Sequence, residues 1–154
     1  MLIDTGEAEG TLEDAFSLFE AAAEEDFTNA IVSLAVMQAT GRGTETDYEA
    51  SLASYMRAAR LGNAHGIQGV GVLFALGQGV PEDRNEAAAW FLVAATLGNE
   101  AGEENFARMT SGMMFAGDMQ PIIDRAHAIA EEFGIEMEIV FDPDAPPPSD
   151  EYKN

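Results

Sequence analysis

The residues that could do chemistry are few and scattered. The chain has two histidines, His65 and His127, and no cysteine. Neither histidine has a second nitrogen or sulfur ligand at helical spacing, so the pattern does not make a metal site. Glycines 66, 69 and 71 resemble a phosphate loop only in density. No strand precedes them and no Lys-Ser/Thr pair follows, whereas Gly69 and Gly71 sit at helix-packing positions. Asp142 and Asp144 lack the spacing and closing Glu of a calcium loop. The pairs Glu24–Glu25 and Glu131–Glu132 read as solvated helix faces rather than catalytic carboxylates. No Ser, His and Asp set stands out as a triad. The sequence therefore predicts no catalytic residue, no metal and no cofactor.

Charge is the outlier. Seven basic residues face 28 acidic ones, a net charge of −21 in 154 residues. No Lys or Arg precedes Arg42, and Lys153 is the only lysine. Such a field repels nucleic acid and anionic membranes and favours basic partners; it also serves solubility. The acids concentrate at two ends, with nine before residue 28 and eight after residue 130. Apolar residues make up 47%, enough for a packed core in a chain of one-domain length. The absence of cysteine excludes disulfides and fits a reducing compartment. The opening MLIDTGEAEG has neither the basic nor the apolar region of a secretory signal, and no run approaches the roughly 18 apolar residues of a membrane span. Both point to a soluble, cytoplasmic protein.

The elements follow from a repeat. Sliding the sequence against itself by 36 residues puts Gly41 on Gly77, Gly43 on Gly79, Asp47 on Asp83 and Tyr55 on Phe91. Leu61, Gly62 and Asn63 fall on Leu97, Gly98 and Asn99 without a gap. A period of this length marks a stacked-repeat array. Ala87, Trp90, Phe91, Ala94 and Ala95 recur at three- and four-residue steps, one face of a helix. Asp83 with Glu86 predicts a capping box. Gly98 suits the left-handed position that ends the helix, and Asn99 can cap the next one. Gly77 plays the same terminating role, and Gly79 and Pro81 belong to a turn. The spacing predicts helices near 11–25, 29–40, 48–61, 64–76, 84–97, 100–110 and 119–133.

The stretch AHGIQGVGVLFALGQGVPEDRNEAAAWFLVAATLGN, residues 64–99, resembles a Sel1-like repeat, a relative of the tetratricopeptide repeat with a longer loop inside each hairpin. The preceding unit departs from the family pattern at Gln38, Thr44 and Ser54, where Tyr, Val and Trp are favoured. The resemblance covers about residues 11–111, and DMQPIIDRAHAIAEEF looks like the helix that often closes such arrays. It implies an all-α fold: an α-α superhelix, a short α-solenoid of about seven helices. Residues 11–133 form the solenoid with its C-terminal capping helix. Residues 1–10 read as a flexible acidic leader, and residues 134–154 as an extended segment with an acidic, proline-rich tail. IEMEIVF alternates apolar and acidic residues and either lies back on the solenoid or pairs with another chain. The Met-rich connection 110–119 either fills gaps at the solenoid end or offers an adaptable contact patch.

In such arrays the first helix of each hairpin lines the concave surface. By that register the partner-binding residues are Asn29, Val32, Val36, His65, Gln68, Val72, Leu76, Glu104 and Arg108. The implied function is a non-enzymatic adaptor in bacterial signalling or assembly that holds a protein or peptide partner, with a basic partner favoured by the charge. Neither direct nucleic-acid binding nor a membrane contact is expected, and a homodimer through an array end or residues 135–141 stays open. The alternative is an acidic inhibitor that mimics nucleic acid and occupies a basic DNA- or RNA-binding protein. Hydrolytic activity, assigned to some cysteine-rich exported members of the wider family, lacks a cysteine or a nucleophile–base motif here.

Overall fold

A computed structural model describes residues 10–113 and 116–138. Among them are seven α-helices and no strand: α1 (Leu12–Glu24), α2 (Thr28–Thr40), α3 (Tyr48–Arg60), α4 (Ala64–Leu76), α5 (Arg84–Thr96), α6 (Glu100–Thr110) and α7 (Ala116–Glu132). Each helix from α1 to α6 packs on the next, so α2–α3 and α4–α5 form two hairpins, with α1 ahead of them and α6 behind. No helix here is long and apolar enough to cross a membrane. Residues 1–9, most of the expected leader, and 139–154, the tail, lie outside the described residues, as do Met114 and Phe115.

The 36-residue period is kept in the hydrogen bonds. Asp47 and Asp83 start the second helices by accepting from the backbone N–H of Ala50 and Glu86, each at 3.0 Å. Asn63 and Asn99 start α4 and α6 by accepting from the N–H of Gly66 and Gly102. Inside the hairpins, Asp47 N–H bonds Gln38 C=O at 2.8 Å and Asp83 N–H bonds Phe74 C=O at 3.0 Å. These bonds pin the loop that lengthens each hairpin. At the short links, Asn63 N–H reaches Ala58 C=O and Asn99 N–H reaches Ala94 C=O across left-handed Gly62 and Gly98.

Two helical glycines set how closely helices approach. A Cβ on Gly69 would stand 2.3 Å from the Tyr55 ring, and one on Gly71 would stand 2.6 Å from the Phe91 ring. The glycines therefore let one aromatic per second helix lie flat on α4, once from the preceding hairpin and once from its own. The main core joins Ile67, Val70, Trp90, Val93, Ile122 and Ile129, and Met109 and Met113 pack against it. That agrees with gap filling for Met113.

Two expectations are corrected. The last helix begins at Ala116, three residues early, because Pro121 removes one donor without preventing helical φ. It lies against α5, as a closing helix of the array. The capping box at Asp83 is half made: Asp83 caps, but the Glu86 carboxylate turns instead to Trp90 Nε1 at 3.1 Å and to Arg125. A complete box occurs at Thr11 and Asp14. Beyond α7, Ile135 and Met137 pack on the core while Glu136 and Glu138 face solvent, so residues 135–138 lie back on the solenoid; 139–141 lie outside the described residues.

Candidate partner-binding surface

The nine expected binding residues fall on the three first helices: Asn29, Val32 and Val36 on α2, His65, Gln68, Val72 and Leu76 on α4, and Glu104 and Arg108 on α6. Val32, Gln68 and Val72 are half-buried, and the other six are exposed. Val36 is 39% exposed and Leu76 is 59% exposed, more than core packing would leave. The period superposes Val32 on Gln68 and Glu104, and Val36 on Val72 and Arg108. The stripe thus turns from apolar on α2 to charged on α6.

The structure divides these residues between local environments. Val32 and Val36 meet Leu12, Ala15 and Phe19 of α1 around a hollow of about 300 Å³, with Arg42 at its end. His65 lines a second hollow, of about 490 Å³, between the starts of α4 and α6. There its Nδ1 lies 3.3 Å from Asn99 Nδ2, while Asn99 Oδ1 is committed to the cap of α6. The shared amide explains why Asn99 can be buried, and it assigns His65 a structural contact. Gln68, Val72 and Leu76 continue along α4. Arg108 donates to Asn105 Oδ1 on its own helix, at 3.4 Å.

The remaining polar side chains of the described helices are placed as follows. Among the described residues no group of three His, Asp or Glu side chains is placed to hold a metal ion. Buried Ser51 donates to Ala35 C=O and Ser54 to Gln38 Oε1, so both hydroxyls serve the α2–α3 contact. His127 is exposed on α7. Burial raises the pKa of the Tyr55 phenol, which keeps it neutral.

The sequence predicts the helix α1 but leaves its residues out of the candidate surface. Leu12, Ala15 and Phe19 line the same hollow as Val32 and Val36, and Leu18 beside them is 71% exposed. The signal was available in the half-repeat, where Ala15 and Phe19 fall on Ser51 and Tyr55 of the next unit.

Comparison with known proteins agrees with this architecture. The family profile "Sel1 repeat" matches residues 12–27, 28–63 and 64–99. The crystal structure of c5321, a protective antigen present in uropathogenic Escherichia coli strains displaying an SLR fold, superposes with a TM-score of 0.71 at 21% identity. That match covers 84% of this chain and 30% of the antigen. A Sel1 repeat protein from Oxalobacter formigenes superposes with a TM-score of 0.62 at 25% identity, over 82% of this chain and 51% of that one. The chain therefore spans only 30% and 51% of the length of these two solved relatives. Searching curated proteins gives no match. The three repeat matches are consecutive and together take in more than half of the residues: the chain belongs to the Sel1 repeat family.

Proposed function

We propose that this chain is a non-enzymatic interaction module that holds a protein or peptide partner on the concave face of α2, α4 and α6, in bacterial signalling or assembly. Sel1 repeat proteins generally act as protein–protein interaction scaffolds. The observation that carries the reading is the pair of exposed apolar side chains on two first helices, Val36 of α2 and Leu76 of α4, which core packing does not use. A net charge of −21 favours a basic partner and speeds its encounter. Residues 10–41 alone carry Glu13, Asp14, Glu20, Glu24, Glu25 and Asp26 with no Lys or Arg.

The test is a pull-down from source lysate eluted in steps of salt, run beside a triple variant Val36→Glu, Val72→Glu, Leu76→Glu. The reading expects one partner held by the wild type and lost from the variant, with affinity that falls as salt rises. Retention of the same protein by both forms would remove the concave face as the site. Many basic proteins leaving both forms at modest salt would mean non-specific charge. Competition of that binding by duplex DNA would then favour the nucleic-acid mimic.

A further inference from the structure

The three first helices differ in charge. α2 and α4 contain no Asp, Glu, Lys or Arg. α6 carries Glu100, Glu103 and Glu104 near its start, all exposed. The 36-residue period sets these three on Ala64, Ile67 and Gln68 of α4. Ile67 is buried, so exposure alone accounts for a charge at Glu103. Ala64 and Gln68 are already part-exposed, so exposure does not account for the carboxylates of Glu100 and Glu104.

His65, Gln68, Val72 and Leu76 make one stripe along α4, about 16 Å from end to end. Its far end is apolar, with Leu76 59% exposed. α4 is packed on one side by α3 and on the other by α5, so this exposure does not depend on either end of the array. The near end opens into the hollow between the starts of α4 and α6, where Leu97 and Ala101 form an apolar wall and Glu100 stands with His65. That combination suits a lysine or arginine, whose stem lies on the wall while its head meets the carboxylate. A helix start carries about half a positive charge, which opposes a cation. The three carboxylates at the start of α6 reverse that field. Arg108 stands about 12 Å further along α6, bonded to Asn105, and does not neutralise them.

Charge also narrows the occupant. Residues 1–9 carry Asp4, Glu7 and Glu9 and no base. Residues 139–154 carry Asp142, Asp144, Asp150 and Glu151 against Lys153 alone. A second copy brings a net charge of −21. None of these complements Glu100 and Glu104. Sel1 repeat proteins bind protein partners in general, and a segment of another protein is the occupant that fits.

We propose that the α4 stripe holds a segment of another protein that is apolar at one end and basic at the other. Its apolar side chains lie on Val72 and Leu76, and its Lys or Arg enters the hollow beside Glu100. This rests on the concave-face reading and adds the order of the partner's residues along the stripe.

The probe is a fluorescein-labelled peptide of about ten residues, leucine-rich in one half and lysine-rich in the other, which spans the stripe as a helix. Its control has the same composition with the two kinds interleaved. Anisotropy with the full chain should show the block peptide held more tightly. Leu76→Ser should weaken it about tenfold, and Glu100→Gln with Glu104→Gln about tenfold together. Glu131→Gln with Glu136→Gln removes the same charge on α7 and beyond it and should change little. All these side chains are exposed, so the fold tolerates the changes. The chain has no cysteine, so Leu76→Cys and Glu104→Cys each present a single thiol. A peptide with an activated disulfide at its apolar end should couple to the first, and one activated at its basic end to the second. Equal binding of the interleaved peptide, equal losses from the two glutamate pairs, or coupling of both ends to both thiols alike would overturn the order. If Leu76→Ser still weakens binding in that case, the concave-face reading stands; if it does not, both fail. Tightening by Phe141→Ser would make this chain's own IVF the occupant, and a dimer dissolved by Leu76→Ser would make it a second copy; either refutes the basic segment.

Discussion

Arg125 of α7 grips Glu86 of α5 with a forked ion pair, Nε and Nη2 reaching the carboxylate at 2.8–3.1 Å, while Trp90 Nε1 donates to the same Oε1 at 3.1 Å. Trp90 also takes the edge of Phe133, with ring centroids 5.5 Å apart. One carboxylate thus ties the closing helix and a buried indole together. Glu86→Ala should cost about 2 kcal/mol, mostly from orphaning the indole N–H. Glu86→Gln keeps an acceptor for Trp90 and should cost under about 1 kcal/mol, the worth of a part-exposed pair. Donation to the Glu86 carboxylate raises the Arg125 pKa, so the guanidinium loses its charge only as pH rises above the ordinary arginine range. Urea melts of the two variants decide the matter; equal losses would show that the indole bond contributes little.

Gly69 and Gly98 should respond to alanine for different reasons. At Gly69 the added methyl meets the Tyr55 ring, an overpacking cost of about 1–3 kcal/mol. At Gly98 there is open space, and the cost of about 1 kcal/mol comes from φ +82°. Adding Tyr55→Leu should relieve the first and leave the second unchanged. Thermal melts of the two double variants provide the check, and identical behaviour would refute the distinction.

Phe27 starts α2 without a side-chain cap, while Asn63 and Asn99 cap the two later first helices from equivalent positions. Phe27 is also 63% exposed, so little packing compensates. Phe27→Asn should stabilise the fold by about 0.5–1 kcal/mol. A lower melting temperature would mean that the ring packs on α1 more than its exposure suggests.

The sequence makes the helices legible because their ends are local. Asp83 with Glu86 N–H, Asn99 with Gly102 N–H and Gly98 at positive φ all act within a few residues. What it hides is long-range. Ile122, Ala126 and Ile129 recur at helical spacing and announce a buried face of α7, but not that the face meets α5. The second partner of Glu86 lies 39 residues away, so a local box is the natural expectation and the ion pair overrides it. The candidate stripe is similar: the period fixes which residues share a face, whereas the hollow beside Val36 depends on how α1 packs against α2.

Tyr55 is held between α3 and α4, where burial raises its pKa above the ordinary phenol value. The neutral ring is the form that fits, so its contribution is complete below about pH 10, the unfolded value. It is lost as pH rises from there through the folded pKa. Tyr55→Phe keeps the ring over Gly69 and removes the ionisation. Stability of the variant should therefore track the wild type at neutral pH and decline less above about pH 10. Absorbance titration at the tyrosinate band supplies the second measure, with one residue ionising late in the wild type and that step gone in the variant. Parallel alkaline limbs in the two proteins would show that Tyr55 reaches solvent before it ionises, and that the packing on Gly69 opens more readily than the rest of the core.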